Sequence, residues 1–198
     1  MPKLRLETFT DGVIAILITI MVLELHIPAG TSWRALGHEL PVLLAYVLSF
    51  VYLGIYWNNH HHMLAAVSRV SGATLWANLN LLFWLSLVPF STAWMSEHHF
   101  PPIPTAFYGI VLLAAAIAYY ILQTTLLRAE GEKSKLRTAI GSDFKGKVSP
   151  FLYCVGIGLA FADRWISLAV YVAVALMWLV PDRRVERHLT ALHTEPTE

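Results

Sequence analysis

Apolar residues are concentrated in six runs along the 198-residue chain, and polar segments separate one run from the next. An α-helix rises about 1.5 Å per residue, so roughly 17 to 20 apolar residues cross a thin bilayer. The first four runs have this length, and the last two are slightly shorter. The pattern predicts an all-α polytopic membrane protein with six transmembrane helices, at residues 9–25, 39–62, 73–95, 105–127, 148–162 and 165–180.

The polar segments predict how the chain is organised around these spans. We expect residues 1–198 to form a single six-helix domain, with a basic loop at 128–149 and a polar tail at 182–198. Of the 14 Lys and Arg residues, 12 lie on the side that holds the N-terminus, this loop and the tail. Because cytoplasmic segments carry an excess of Lys and Arg, we expect a multi-pass protein of the cell membrane with both termini in the cytoplasm.

Composition agrees with a membrane protein and argues against other classes. Hydrophobic residues make up 57% of the chain and charged residues 14%, against about 25% charged residues in soluble domains. A net charge of +1 without a long basic run gives no indication of nucleic-acid binding. The single cysteine, Cys154, permits neither an intrachain disulfide nor a cysteine-based metal site. The expected surroundings of the chain are therefore the lipid bilayer.

The first span has two distinct faces when its residues are placed at intervals of about 100° around a helix. One stripe contains Arg5, Phe9, Gly12, Ile16, Thr19, Ile20 and Leu23. Asp11 falls nearly opposite this stripe, with Ile14 and Ile18. A carboxylate within a membrane normally faces protein or water, so we expect Asp11 to find partners inside its own subunit. From periodicity alone, the aliphatic stripe would usually be interpreted as ordinary helix packing.

The beginning of the first span resembles a family motif. The pattern Arg5-x-x-x-Phe9-Thr10-Asp11 resembles the R-x-x-x-F-S-D motif of the transmembrane protein 175 family, the endosomal and lysosomal potassium channels and their bacterial relatives. Thr10 replaces the serine of that motif and keeps its hydroxyl group. The stretch NLNLLFWLSLVPF, residues 78–90, resembles the third helix of the same family. Bacterial members are single six-helix units of about this length, so the resemblance covers nearly the whole chain.

The resemblance also implies a hydrogen-bond network around this motif. A tryptophan and a histidine late in the second span match residues that bond the motif in the family. The tryptophan is Trp57. The histidine expected to bond Asp11 is His61, with His60 as the alternative. Asn78 in the third span is expected to bond across to a neighbouring helix, or else simply to pack there. His60, His61 and His62 are adjacent and point about 100° apart, so they cannot converge on one metal ion.

The function implied by the resemblance is that of a homotetrameric, potassium-permeable channel with the first helix of each subunit lining a central pore. Ile16, Ile20 and Leu23 match the positions that form the constriction in the family, and Thr19 matches a hydroxyl position beside it. The chain has no T-V-G-Y-G sequence, so a filter of backbone carbonyls is not expected, and aliphatic rings would act as a hydrophobic gate. Potassium and other monovalent cations are expected to permeate, with no bound cofactor.

Two other classes compete with a channel. Asp11 and the histidines of the second span are able to relay protons, as in a proton-coupled transporter or a proton-conducting pathway. The sequence lacks the internal repeat and paired broken helices of many transporters. An enzyme is not expected, because there is no H-E-x-x-H or G-x-S-x-G motif and no grouping of carboxylates at ligand spacing.

Overall fold

A computed structural model describes residues 3–131 and 144–179, and the regular structure in these residues is entirely helical. Helix α1 (Lys3–Met21) continues as a 3₁₀ turn (Val22–Glu24). The helices that follow are α2 (Trp33–His38), α3 (Leu40–Ala65), α4 (Gly72–Ser86), α5 (Val88–Glu97), α6 (Pro102–Glu130), α7 (Phe144–Leu159) and α8 (Arg164–Leu179). The prediction of an all-α protein is confirmed. The predicted tail and residues 132–143 of the predicted basic loop lie outside the described residues.

Four segments of the described residues are long and apolar enough to cross a membrane: Lys3–Glu24, Leu40–Ala65, Gly72–Glu97 and Pro102–Glu130. They match the first four predicted spans, although the first helix begins at Lys3 rather than at residue 9, so the whole family motif is helical. The helices α7 and α8 overlap the last two predicted spans, but each has 16 residues, fewer than the roughly 20 that a perpendicular crossing requires. Six crossings therefore stay a prediction.

The third predicted span is interrupted where α4 gives way to α5. The interruption lies at Leu87, and Pro89 occupies the first turn of the new helix. Proline has no N–H group and its ring clashes with the preceding turn, so it is tolerated at a helix start and breaks a helix interior. Residues 72–97 thus form one apolar segment with an interruption at Leu87, rather than one uninterrupted helix.

Helix α6 is central to the packing, because it contacts α4, α5, α7 and α8. Tyr171 of α8 is fully buried beside it and fits against two glycines. A Cβ atom added at Gly109 of α6 would lie 2.0 Å from the Tyr171 hydroxyl oxygen, and one added at Gly156 of α7 would lie 2.5 Å from its Cε1. Small residues at these positions thus let three helices approach one another around a single aromatic side chain.

Hydrogen bonds between polar side chains also connect the helices inside the apolar core. The buried hydroxyl of Ser49 lies 2.7 Å from the Thr92 hydroxyl and 3.0 Å from the Tyr108 hydroxyl, which joins α3, α5 and α6. Tyr52 donates a 2.6 Å bond to the backbone carbonyl of Tyr171 in α8. In hydrocarbon surroundings a polar group needs such a partner, so these bonds determine how the four helices fit together.

The turn between α3 and α4 is fixed by a side chain from the far end of α6. The carboxylate of Glu130 accepts bonds from the backbone N–H of Ser68, from the Ser68 hydroxyl at 2.9 Å and from the backbone N–H of Arg69 at 2.8 Å. Ser71 then begins α4 with a capping box that it shares with Thr74. These contacts hold the end of α3 and the start of α4 beside each other, at the level of the family motif.

Candidate functional site

Helix α1 buries only one of its faces within the subunit. Its inner side chains, among them Ile14 and Met21, are almost completely buried, whereas Ile16 is 57% and Leu23 79% exposed. The exposed side of α1 carries one continuous stripe of mainly apolar side chains, which we call the outer stripe: Phe9, Gly12, Ile16, Thr19, Ile20 and Leu23. The face predicted to carry the aliphatic stripe is thus the face that the subunit leaves uncovered.

The single hydroxyl on the outer stripe forms a hydrogen bond within α1. Thr19 donates a 2.9 Å hydrogen bond from Oγ1 to the backbone carbonyl of Ile16. A threonine hydroxyl has one hydrogen to donate and two lone pairs, so its oxygen keeps acceptor capacity while its proton is used. The stripe therefore presents aliphatic surface together with one oxygen that keeps acceptor capacity.

The inner face of α1 is attached by a chain of buried side chains, which we call the polar anchor: Thr10, Asn78 and His60. Asn78 of α4 donates a 2.9 Å bond from Nδ2 to the hydroxyl oxygen of Thr10. Its carbonyl oxygen lies 2.9 Å from Nε2 of His60 in α3, which acts as the donor in this arrangement. All three side chains are at most 1% exposed, so none has water as an alternative partner. The polar anchor therefore joins α1, α3 and α4 at a single level.

Asp11 lies beside the polar anchor but is exposed rather than facing the interior. Its Oδ1 accepts a 2.9 Å hydrogen bond from the indole Nε1 of Trp57. The expectation that Asp11 lies with Ile14 on the face opposite the outer stripe needs correction. Thr10 occupies the buried face, and the next residue points about 100° away, so Asp11 falls at the edge of that face.

The partner expected for Asp11 also differs from the one observed. His61 was expected to bond Asp11, but it is exposed and stacks on the Trp57 ring, with ring centroids 6.4 Å apart. Residues four apart on a helix share a face, so Trp57 and His61 lie on the same exposed edge of α3. His60 points about 100° away from His61 into the interior, where it reaches Asn78 rather than Asp11.

The remaining motif residues lie on the exposed side. Phe9 is half exposed, and Arg5 is exposed with no salt bridge to any residue within the described ranges. Within the same ranges, no group of three or more His, Cys, Asp or Glu side chains is arranged to hold a metal ion. The structure thus separates the motif into an anchored part, Thr10 and Asp11, and an outward part, Arg5 and Phe9.

Sequence reasoning missed Glu130 and the cluster around Ser49. Glu130 is the only acidic residue of the long apolar helix α6, and its position at the helix end was a usable signal. Ser49 stands alone in an apolar run, and nothing in its neighbourhood along the chain points to Thr92 or Tyr108 as its partners. Both features support the site indirectly, since they set the relative positions of α3, α4, α5 and α6.

Comparisons with known proteins show which family the chain resembles. The sequence model described as "Endosomal/lysosomal potassium channel TMEM175" matches residues 5–89, which include the motif, Trp57 and the whole polar anchor. A potassium channel of Chryseobacterium sp. (strain P1-3) is 54% identical over 96% of this chain and 98% of its own length. A potassium channel of Streptomyces collinus is 33% identical, covering 88% of this chain and 90% of its own.

A solved structure has the same fold. The crystal structure of a lysosomal potassium-selective channel TMEM175 homolog from Chamaesiphon minutus superposes with a TM-score of 0.73 and 28% sequence identity, covering 90% of this chain and 96% of the other. Near-complete coverage of both chains means that the similarity extends beyond the motif to the helices that hold it. The chain described here therefore belongs to the family of the endosomal/lysosomal potassium channel TMEM175.

Proposed function

We propose that this protein is a potassium-permeable cation channel of the cell membrane, assembled as a homotetramer with α1 of each subunit lining a central pore. Its relatives from Chryseobacterium and Streptomyces are named potassium channels and match it over almost their whole lengths. In this proposal all six predicted spans cross the membrane, α7 and α8 included, and both termini are cytoplasmic. The protein is not an enzyme, and its only ligands at the pore are the permeating cations.

The outer stripe of α1 is the observation that carries this proposal. A helix that buries one face and leaves a continuous apolar stripe uncovered is complete only when lipid or another subunit covers the stripe. One helix cannot enclose a pore, whereas a closed ring of identical subunits places the same stripe around a common axis. Side chains at the pore would then form rings of Ile16, of Thr19 with Ile20, and of Leu23.

Such rings give a different kind of selectivity from a carbonyl filter. Aliphatic constrictions gate by excluding water, and a narrow one discriminates between ions by size and by the cost of dehydration. The Thr19 oxygen is the one polar atom among these side chains, and its donated bond to the helix leaves a lone pair free to face a cation. Ile16 and Leu23 are two turns apart, so the constriction would be a short apolar segment of the pore.

The polar anchor and the Trp57–Asp11 bond have a supporting role in this proposal. They fix the cytoplasmic start of α1 against α3 and α4, so the direction in which the outer stripe points is set within each subunit. Asp11 is expected to act in assembly, because at the edge of the buried face it would lie near a neighbouring subunit of the proposed tetramer. Arg5 is expected to turn towards a neighbouring subunit as well, because a ring of cations at the mouth would oppose cation entry.

The first test is ion flux into liposomes that contain the purified protein. We expect wild type to pass potassium faster than sodium, and Ile16→Asn to raise the flux or to reduce the preference for potassium. Ile110→Asn is the matched control, because Ile110 is an exposed isoleucine of α6, away from the outer stripe. The channel proposal fails if neither ion passes through folded, oligomeric wild type, and the pore assignment fails if both variants behave alike.

A proton pathway is the competing function, and the buried hydrogen-bonded chain of His60, Asn78 and Thr10 is the observation that favours it. It predicts dye-detected acidification of the liposomes without potassium flux, and loss of that acidification in His60→Phe. The channel proposal predicts potassium flux that persists in any His60→Phe protein that still assembles. Native mass spectrometry of the same samples is expected to show four copies of the 22.2 kDa chain.

A further inference from the structure

A cavity lies within the subunit, and none of the described residues of α1 lines it. It is bounded by α3, α6, α7 and α8 and opens outward, and its empty space of about 530 Å³ includes the open part beyond its mouth. Its wall is mainly apolar and aromatic, with Ile55, Ala116 and Trp178 contributing hydrocarbon or ring surface. None of the described residues that line it carries a formal charge. This cavity plays no part in the proposed pore.

Parts of the wall are held in place by hydrogen bonds of their own. The Trp178 indole donates a 2.7 Å bond to the Ser149 hydroxyl, which fixes the end of α8 against the start of α7. The Tyr119 hydroxyl donates to the backbone carbonyl of Asn59 at 3.3 Å, which fixes α6 against α3. The cavity is therefore a preformed space between bonded helices, as expected for a small-molecule site.

Two polar side chains of the wall have no such partner. Tyr56 and Gln123 are each only 8% exposed, and neither makes a hydrogen bond to any residue in the described ranges. Their polar atoms keep some accessible surface, because among the described residues only the Thr105 hydroxyl oxygen is fully buried without a partner. Gln123 alone offers two donor hydrogens and one acceptor oxygen. Both side chains line the same cavity, so a ligand placed there is able to satisfy both of them.

We propose that this cavity binds a small uncharged amphiphile, an apolar ring or short chain with one hydroxyl or amide group. The apolar wall accommodates its hydrocarbon part, and Gln123 and Tyr56 hydrogen-bond its polar group. A charged ligand is disfavoured, because the described residues of the wall offer no opposite charge and desolvation of an ion is expensive. Such a molecule reaches the site either from the bilayer, as part of an uncharged hydroxyl-bearing lipid, or from water.

The experiment compares three probes of similar size on the full chain in lipid nanodiscs. Fluorine NMR measures binding of 4-fluorobenzyl alcohol, 4-fluorotoluene and 4-fluorobenzoate, which differ in having a hydroxyl, no polar group or a charge. We expect the alcohol to bind more tightly than the toluene, and the benzoate not to bind. Empty nanodiscs give the background from partition into lipid.

Three variants assign any binding to the cavity. Ala116→Phe fills the space and is expected to abolish binding, whereas Ile117→Phe places the same aromatic side chain at an exposed position of α6 and is expected to leave binding unchanged. Gln123→Leu keeps the size of the side chain and removes its hydrogen-bonding groups. This variant is expected to lower the affinity for the alcohol about threefold to tenfold and to leave the affinity for the toluene unchanged.

Each remaining outcome has a definite meaning. Equal binding of alcohol and toluene in all variants, or preferential binding of the benzoate, overturns the proposal. If Ala116→Phe fails to fold, an unchanged alcohol affinity in Gln123→Leu overturns it independently. Extraction of lipids from the purified protein separates the two sources. A hydroxyl-bearing lipid that wild type retains and Ala116→Phe loses assigns the ligand to the bilayer. If wild type binds the alcohol but retains no lipid, the ligand is assigned to water.

Discussion

Two glycines of α7 allow a matched test of the packing around Tyr171. A Cβ atom at Gly156 would lie 2.5 Å from Cε1 of Tyr171, whereas one at Gly158 would have no atom within 4 Å apart from its chain neighbours and the backbone of its own helix. The Tyr171 ring is fully buried, and the neighbouring Gly109 leaves it no free space towards α6. We therefore expect Gly156→Ala to destabilise the protein and Gly158→Ala to leave its stability unchanged or slightly raised.

The magnitude follows from two opposing terms. Alanine is favoured over glycine in a helix interior by up to about 1 kcal/mol, a gain available to both variants although smaller near a helix end. An extra methyl group in a packed core costs about 1 to 3 kcal/mol, and only Gly156→Ala incurs it. The two variants should thus differ by about 1 to 3 kcal/mol, and about 2 kcal/mol corresponds to roughly 4 to 8 °C in Tm for a chain of this size.

The assay is thermal unfolding of both variants in the same detergent, followed by loss of the folded peak in size-exclusion chromatography. A second pair carries the same substitutions in a Tyr171→Leu background, where the aromatic ring is absent and the two alanines should have similar effects. Equal Tm values for Gly156→Ala and Gly158→Ala in the Tyr171 protein would refute the reasoning. A difference that survives in the Leu background would show that Tyr171 is not its cause.

Three further predictions concern the site and its support. Thr10→Val leaves the buried Asn78 donor unpaired and should cost about 1 to 3 kcal/mol of stability by thermal unfolding, whereas Thr10→Ser should be close to neutral. Equal losses of stability in Thr10→Val and Thr10→Ser would mean that the Thr10 hydroxyl does not stabilise the protein. Trp57→Phe removes the N–H donor to Asp11 and should lower the yield of oligomer in size-exclusion chromatography before it alters the potassium-to-sodium flux ratio. A change in the flux ratio without a loss of oligomer would place Asp11 at the ion pathway. Glu130→Ala releases the α3–α4 turn and should speed tryptic cleavage after Arg69, and an unchanged rate would show that other contacts hold the turn.

The helices were predictable from the sequence to the extent that hydrophobicity determines them. Long apolar runs identified the four segments that are long enough to cross a membrane, because hydrophobicity is a local signal. The last two helices were harder to interpret, since a 16-residue apolar segment fits either a short span or a buried helix. Local patterns do not distinguish these two.

The partners within the site were less predictable, because they depend on rotations of a few tens of degrees. The motif resemblance indicated Trp57, a histidine and Asn78, and these side chains do surround the start of α1. Which histidine points inward depends on the rotation of α3 about its axis. That rotation is set by contacts distant in sequence, such as those of Ser49, which a helical wheel of α3 alone does not contain.

The uneven attachment of α1 along its length has a mechanical consequence. Directional bonds hold it near Thr10 and Asp11, whereas its second half rests on non-directional apolar packing by side chains such as Leu17 and Met21. Apolar contacts tolerate sliding and small rotations at little cost, while a buried hydrogen-bond chain has one arrangement. We therefore expect the segment from Ile16 to Leu23 to bend and twist more easily than the first half of α1, which ends in these bonds. Any movement that widens or narrows the region between neighbouring α1 helices is expected to be largest at the end remote from the motif.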